Sequence, residues 1–173
     1  SDTAEIAFED VRVPESHLLG PEGSGFVTLM RNFQTERLAL AAYGMATAAI
    51  ATDEATRYAR DRKAFGKSLM GFQVTRHKLA DMAMQVTALR TLVYQVASRM
   101  DAGEEVVAEV SMAKNLAATL AIEVCYEAVQ IHGGMGYMRE TLVERLSRDA
   151  RLLPIGGGTQ EVMKEIIAKR LGF

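Results

Sequence analysis

The first residues of the chain alternate between apolar and polar positions. Apolar side chains recur at every second position from residue 4 to residue 8, and Val11 and Val13 resume this period before Pro14. A period of two predicts a β-strand. No later segment predicts a partner strand, and an unpaired strand cannot satisfy its backbone hydrogen-bonding groups. We therefore predict that residues 1–22 are the end and linker of a β domain outside this chain; an N-terminal arm lying on the helices is the alternative.

From residue 25 onward, apolar residues recur every three to four positions, which is the period of an α-helix. This pattern predicts three long helices, which cover residues 25–62, 73–100 and 106–131. The first is rich in alanine, which permits close helix packing, and Gly44 is a candidate kink. Gly66 is expected at the C-terminal end of the first helix, where neighbouring lysines also favour a helix terminus.

Two shorter helices complete the pattern. Thr141 and Glu144 have the spacing of a capping box, and Pro154 is expected to end the helix that they begin. A turn at Gly156–Gly158 precedes the last helix. Long helices with short connections are typical of bundles. The sequence therefore predicts an all-α fold over residues 23–173, an up-down four-helix bundle with short additional C-terminal helices.

Composition narrows the classes of protein to which this chain can belong. It has 173 residues, 49% hydrophobic and 24% charged, with a net charge of −2, so one globular domain is expected. This charge indicates neither nucleic acid nor an acidic membrane as a partner. Cys125 is the only cysteine, which favours a reducing compartment, the cytoplasm or, in a eukaryote, the mitochondrial matrix. No membrane span is predicted, and His132 has no second ligand at metal-binding spacing.

Two charged segments carry candidate chemistry. Glu36 and Arg37 lie midway along the first helix, either as an exposed charge pair without function or as a general base with an electrostatic neighbour. The basic segment before Gly66 either complements the helix dipole or binds a diphosphate. In the second case Arg62 supplies a fork of donors and Phe65 supplies a flat aromatic face.

Two glycine-rich segments are candidate binding sites. Residues 130–137 contain three glycines, where one would be enough to end a helix, so another backbone or a ligand is expected to come close. Residues 154–161 end at the start of a helix, where free backbone donors favour an anion. The alternatives are a tight turn for the first segment and a flexible connector for the second.

The order of these segments along the chain is more specific than any one of them. Their succession resembles the C-terminal part of the acyl-CoA dehydrogenase family, from the end of its β domain through its helical domain. The resemblance spans essentially the whole chain. The motifs that carry it are Phe8–Pro14, Leu19-Gly20, Glu36–Leu38, Tyr58–Gly66, Phe72-Gln73, Leu79–Met82, Gln130–Tyr137, Asp149-Ala150 and Gly158-Thr159.

The resemblance implies an FAD site that is shared between the subunits of a homo-oligomer, either a dimer or a tetramer. Arg62 would meet the FAD diphosphate, and Phe65 would pack beside the cofactor. Thr159 and Glu161 would contact FAD from the final turn, where Glu161 replaces the family's common glutamine and, as a carboxylate, cannot donate a hydrogen bond. The adenosine half would be surrounded by Gln73, Gln130, Gly133 and Gly134.

The position of the catalytic base is where this sequence departs from most of the family. Most members carry it in a Tyr-Glu-Gly-Thr turn, but here the turn reads Gly156-Gly157-Gly158-Thr159, and glycine cannot accept a proton. Members of the long-chain and isovaleryl types carry the base on the first long helix before an arginine, and Glu36-Arg37 matches that arrangement. The resemblance therefore implies that Glu36 removes the α-proton of an acyl-CoA thioester while a β-hydride passes to flavin.

The glycine turn also bears on the substrate. Gly156 stands where many relatives carry a tyrosine that lines the acyl pocket, and Gly157 and Gly158 follow it. We therefore expect a longer, branched or bulkier acyl group. Electron-transfer flavoprotein is the expected electron acceptor. An acyl-CoA oxidase-like or nitroalkane oxidase-like flavoenzyme and a non-catalytic helical assembly module are the alternatives. The chain alone is expected to be inactive, since much of the FAD site would lie outside it.

Overall fold

The computed structural model describes residues 3–173, so the prediction for residues 1 and 2 lies outside the described part of the chain. The all-α fold is confirmed. Each of the three long helices begins and ends within one residue of its predicted bounds. The five α-helices are α1 (Gly25–Asp61), α2 (Gln73–Asp101), α3 (Val107–His132), α4 (Leu142–Ala150) and α5 (Gln160–Leu171).

The chain divides into two compact units, one up to Asn32 and one from Phe33 onward, with the boundary inside α1. In the first unit, residues 3–22 contain a 3₁₀ turn at Glu15–His17 and no strand. The apolar side chains with a period of two, such as Phe8 and Val13, are exposed. The strand expected from their pattern is not formed by this chain, and its assignment to a preceding β domain stays a prediction.

In the second unit, α3 is the central helix and packs against α2, α4 and α5. Small residues let α1 approach it closely, because a Cβ at Gly44 would lie only 2.9 Å from the carbonyl oxygen of Ala117. Gly44 is therefore explained by helix packing, and α1 is unbroken through this position. The buried alanines that continue this face of α1 are Ala41, Ala48, Ala51, Ala55 and Ala59.

A small hairpin follows α1, where the sequence predicted only a helix end. Strands β1 (Lys63–Ala64) and β2 (Lys67–Ser68) pair in antiparallel orientation around a two-residue turn. Phe65 has a φ of +51° and Gly66 a φ of +81°, as the type I′ turns of tight hairpins require. The expectation that Gly66 ends the helix is wrong, because α1 already ends at Asp61 and Gly66 supplies the second positive φ of the turn.

The start of α4 also differs from its prediction. Thr141 precedes the helix, but its hydroxyl donates to the carbonyl oxygen of Met135 at 2.6 Å, and Glu144 pairs with Arg148 at 2.7 Å. The capping box is therefore not formed, because both side chains have other partners. The helix ends at Ala150, and turns rather than Pro154 end it. At α5, by contrast, the Thr159 hydroxyl accepts a hydrogen bond from the Val162 amide at 3.3 Å.

Three further properties of the fold concern membranes, metals and the single thiol. Within residues 3–173, no helix combines the length and the apolar character needed to cross a membrane. Across the same stretch, no three side chains of the types that ligate metals come together. Cys125 is buried, and this burial raises the pKa of its thiol to about 12. The thiol is therefore protonated at neutral pH and is not a reactive thiolate.

Candidate active site

The predicted base and its neighbour on α1 have opposite environments. Glu36 is exposed, whereas Arg37 is only 5% exposed and its Nε donates to the carbonyl oxygen of Gly157 at 3.0 Å. Neighbouring residues on a helix point in different directions, so one face of α1 can present Glu36 while another anchors the C-terminal turn. Burial lowers the pKa of Arg37, and the negative charge of Glu36 opposes this effect.

The C-terminal turn lies against α1, and two of its glycines leave little space for side chains. Gly157 and Gly158 have φ angles of +68° and +106°, which favour glycine. A Cβ at Gly157 would lie 2.6 Å from Cδ1 of Leu40, and one at Gly158 would lie 2.8 Å from Cε of Met163. A carboxylate carried by this turn would therefore have to displace Leu40, one helical turn after Glu36.

Lys114 on α3 is a third member of this region, and it was not predicted from the sequence. Its side chain is 1% exposed, and its Nζ donates to the carbonyl oxygen of Gly158 at 2.5 Å. Burial lowers the pKa of Lys114, the positive charge of Arg37 lowers it further, and Glu161 acts in the opposite direction. A signal for it was present, because Lys114 lies four residues after Val110 and three before Ala117, within the apolar face of α3.

At the other end of the second unit, a cleft collects several of the predicted cofactor residues. Its volume is about 570 Å³. Arg62, Gly133 and Gly134 line it together, so the structure brings the basic helix end and the first glycine-rich segment to one place. The remaining lining residues are Tyr58, Leu69, Ile131, His132, Met135 and Met138.

The other predicted cofactor residues lie outside this cleft. Phe65 is 94% exposed at the tip of the hairpin. Gln73 begins α2, with its amide nitrogen 3.3 Å from Nε2 of His77, and Gln130 is exposed in the last turn of α3. Thr159 and Glu161 are at the start of α5, where hydrogen bonds from the backbone amide of Glu161 and from Thr159 lower the pKa of the Glu161 carboxyl.

His132 is a packed residue at the end of α3. It is buried and stacks on Tyr58 with ring centroids 4.2 Å apart. Its Nδ1 lies 2.7 Å from the carbonyl oxygen of Ala128, which fits a protonated Nδ1 that donates this hydrogen bond. The stack joins the end of α1 to the end of α3 and so forms one wall of the cleft.

The glycines after His132 have different explanations. Gly133 has a φ of +58° and ends α3, while a Cβ at Gly136 would lie 2.4 Å from the carbonyl oxygen of Val129. Gly134 needs neither explanation: its φ is not positive, and a Cβ there would meet no atom within 4 Å. Its backbone is open in the cleft, next to an exposed arginine. This arrangement fits the close approach of a phosphate-bearing ligand.

The family model for the acyl-CoA dehydrogenase C-terminal domain matches residues 23–172. The chain belongs to the acyl-CoA dehydrogenase family, of which it represents the C-terminal helical domain. Members of this family are FAD enzymes.

Individual relatives agree with this assignment. The crystal structure of a probable acyl-CoA dehydrogenase from Mycobacterium abscessus is similar to this chain, with a TM-score of 0.93 and 55% sequence identity. The match covers 96% of this chain and 44% of that chain. The mitochondrial long-chain specific acyl-CoA dehydrogenase of Sus scrofa is 42% identical over 98% of this chain and 40% of its own length. The caffeyl-CoA reductase-Etf complex subunit CarC of Acetobacterium woodii is 42% identical over 98% of this chain and 45% of its own length. The chain spans less than half the length of these relatives.

Proposed function

We propose that this chain is the C-terminal domain of an FAD-dependent acyl-CoA dehydrogenase, which introduces a double bond between the α and β carbons of an acyl-CoA thioester. The observation that carries the proposal is the division of roles on α1. Glu36 is the exposed carboxylate, and Arg37 is buried against a turn in which Gly157 carries no side chain and Leu40 fills the space that one would occupy. When bound, FAD supplies the acceptor for the β-hydride.

Glu36 acts as the general base in this proposal. Its carboxylate accepts the α-proton of the thioester, a role that contributes about 10²–10⁴-fold to rate in enzymes. Arg37 does not accept the proton, because a guanidinium stays protonated and has no acceptor, and its Nε donates to the carbonyl oxygen of Gly157. It holds the turn in place beside the helix that carries the base. Water exclusion would depend on parts of the protein outside this chain.

The open end of the bundle is the proposed cofactor surface. Arg62 offers a planar fork of donors to the FAD diphosphate, and the bare backbone at Gly133 and Gly134 permits close approach. Phe65 presents its ring for packing beside the cofactor. A second subunit would complete the site, because these groups face solvent and do not enclose a pocket. Gln73, Gln130, Thr159 and Glu161 are the further proposed FAD contacts.

The acyl group is proposed to be longer, branched or bulkier than butyryl. The glycines of the turn do not all leave the same amount of space where a side chain would otherwise stand. Leu40 already fills the position of a side chain at Gly157, whereas the nearest atom to a Cβ at Gly156 is 3.6 Å away. Gly156 therefore leaves more room than Gly157 does. Turnover of a panel of acyl-CoA thioesters by the intact protein tests this proposal, and a preference for butyryl-CoA over all larger groups would contradict it.

The proposed electron acceptor is electron-transfer flavoprotein. One relative is named as a subunit of a complex with Etf, which supports this choice over molecular oxygen. The alternative is an oxidase, in which the reduced flavin reacts with oxygen. Turnover with electron-transfer flavoprotein or a dye, without stoichiometric peroxide, supports the dehydrogenase; peroxide formed at the rate of substrate loss supports the oxidase.

The decisive experiment replaces the proposed base in the full-length enzyme. Glu36→Gln keeps the size of the side chain but cannot accept the α-proton, so we expect kcat to fall by about 10³-fold with flavin retained. Glu54→Gln is the matched control, since Glu54 is on the same helix and pairs with Arg57 at the surface. Wild-type turnover by Glu36→Gln would remove Glu36 from this role. A wild-type enzyme that desaturates no acyl-CoA would overturn the proposed function.

A further inference from the structure

Two buried cations hold two consecutive carbonyl groups of the C-terminal turn. Nε of Arg37, on α1, lies 3.0 Å from the carbonyl oxygen of Gly157, and Nζ of Lys114, on α3, lies 2.5 Å from that of Gly158. The two side chains are 5% and 1% exposed. The turn is therefore fixed from two different helices, one contact for each peptide group.

The choice of lysine at this position is unusual for a contact that serves only stability. A buried ammonium loses its hydration, and a neutral carbonyl compensates it less well than a carboxylate would. The positive charge of Arg37 adds to this cost, as the lowered pKa of Lys114 reflects. Asn115, the next residue on α3, shows that a neutral amide can hold the neighbouring backbone, since it donates to the carbonyl oxygen of Gln160 at 3.0 Å.

The geometry of the peptide group gives these contacts a direction. In a trans peptide the C=O and the following N–H point to opposite sides, and residues 3–173 contain no cis peptide. Since the Gly158 carbonyl points to Lys114, the Thr159 amide points away from it. In the same way, since the Gly157 carbonyl points to Arg37, the Gly158 amide of that peptide group points away from Arg37. A cation on the carbonyl also polarises the peptide and strengthens its N–H as a donor.

We propose that Lys114 is a positioning residue for the desaturation reaction: by holding the Gly158 carbonyl, it fixes the direction in which the Gly158–Thr159 peptide presents its N–H to bound ligand. Lys114 itself touches neither substrate nor cofactor. The role of Lys114 in the reaction rests on the proposed function. Its contact with the Gly158 carbonyl is observed in the structure. The proposed effect of Lys114 acts through the Gly158–Thr159 peptide group, which distinguishes it from a general contribution to core stability.

The test uses the full-length, flavin-loaded enzyme with Lys114→Met, which keeps the length of the side chain and removes the charge and the donor. We expect kcat to fall by about 10–100-fold, less than for loss of a direct donor to the reacting oxygen, while KM changes by less than about 3-fold. Lys114→Arg, which keeps the charge and the donors, is expected to restore most of kcat. Lys169→Met, at an exposed lysine of α5, is the control and is expected to match wild type.

A readout that does not depend on turnover is the amide hydrogen exchange of the peptide that contains Gly156–Thr159. We expect faster exchange there in Lys114→Met than in wild type or Lys114→Arg, together with a shifted flavin absorbance spectrum. If Lys114→Met does not fold, Lys114→Leu replaces it, because it is also apolar and also removes the donor. A loaded Met or Leu variant with wild-type kcat, spectrum and exchange would overturn the inference, even if its melting temperature were lower. If the wild type were inactive, the proposed function would fail, and spectrum and exchange would still decide whether Lys114 fixes the Gly158–Thr159 peptide.

Discussion

The two glycine-rich segments of this domain have similar compositions but opposite surroundings. In the turn at Gly156–Thr159, buried cations from α1 and α3 satisfy the backbone, and Leu40 and Met163 fill the space beside it. In the segment at Gly133–Tyr137, Gly136 packs against Val129, but apart from its chain neighbours no atom lies within 4 Å of the place that a Cβ at Gly134 would occupy. The C-terminal turn is enclosed by the chain itself, whereas the backbone at Gly134 is left open.

The difference teaches how a glycine in such a segment can be interpreted. A glycine with a positive φ or a close neighbour is required by the fold, as Gly157 and Gly136 are. A glycine with neither is not required by the contacts of the chain itself, so a ligand that comes close is one explanation for it. Gly134 is of this second kind, and it lies beside Arg62, whose charge has the sign that a diphosphate needs.

The largest expected effect comes from adding a methyl group at Gly136. Its Cβ would lie 2.4 Å from the carbonyl oxygen of Val129, which is backbone and cannot rotate away. Overpacking of this kind costs about 1–3 kcal/mol, so Gly136→Ala should lower the melting temperature of the intact enzyme by several degrees. The measurement is thermal unfolding followed by circular dichroism.

Gly134→Ala is the matched control, because it adds the same group two residues earlier in the same 3₁₀ segment. We expect its melting temperature without FAD to stay within experimental error of wild type, since surface substitutions are usually within about 0.5 kcal/mol. Its flavin should be lost more readily on gel filtration. Equal melting temperatures for the two variants would contradict the distinction between required and open glycines.

The second prediction concerns the charge at the open end. Arg62→Ala removes the guanidinium from the cleft, and hydrogen bonds to charged groups contribute about 1.5–3 kcal/mol. The dissociation constant of FAD should therefore rise by roughly 10–100-fold. Titration of the apoenzyme with FAD, followed by flavin fluorescence, measures this change.

Arg60→Ala provides the comparison, since Arg60 is exposed two residues earlier on the same helix end but does not line the cleft. We expect its affinity for FAD to remain close to that of wild type. If both variants bound FAD equally well, the basic helix end would have only the role that its sequence alone allows, which is to complement the helix dipole.

The helices could be predicted from the sequence because their apolar period is long and regular. Helices of 26 or more residues average out local exceptions, and all three long ones were located to within one residue. Errors were confined to short signals. Thr141 and Glu144 have the spacing of a capping box but are engaged by Met135 and Arg148, and spacing alone cannot reveal these competing partners.

Candidate site residues could be proposed from the sequence only where their type and order singled them out. Glu36, Arg62 and the glycines were proposed in this way; the structure brings Arg62, Gly133 and Gly134 to one cleft, and the roles of all these residues stay predictions. Lys114 was not proposed although it lies within the apolar face of α3, because a lysine on a helix is ordinarily exposed, and the structure shows it at 1% exposure. The hairpin at residues 63–68 was missed because each of its strands has only two residues.

The smallest expected effect is at the hairpin tip, and it has opposite signs for stability and for binding. Phe65 has a φ of +51° and is 94% exposed, a conformation that a bulky residue rarely adopts and that asparagine before glycine favours. Phe65→Asn should therefore raise the free energy of unfolding by about 0.5–1 kcal/mol, seen as a slightly higher melting temperature without FAD. The same variant should bind FAD more weakly, because it lacks the aromatic face. Phe65→Tyr, which keeps the ring, should leave both quantities near wild type. A Phe65→Asn enzyme that gained stability and kept full affinity for FAD would show that the strained aromatic tip has no part in holding the cofactor.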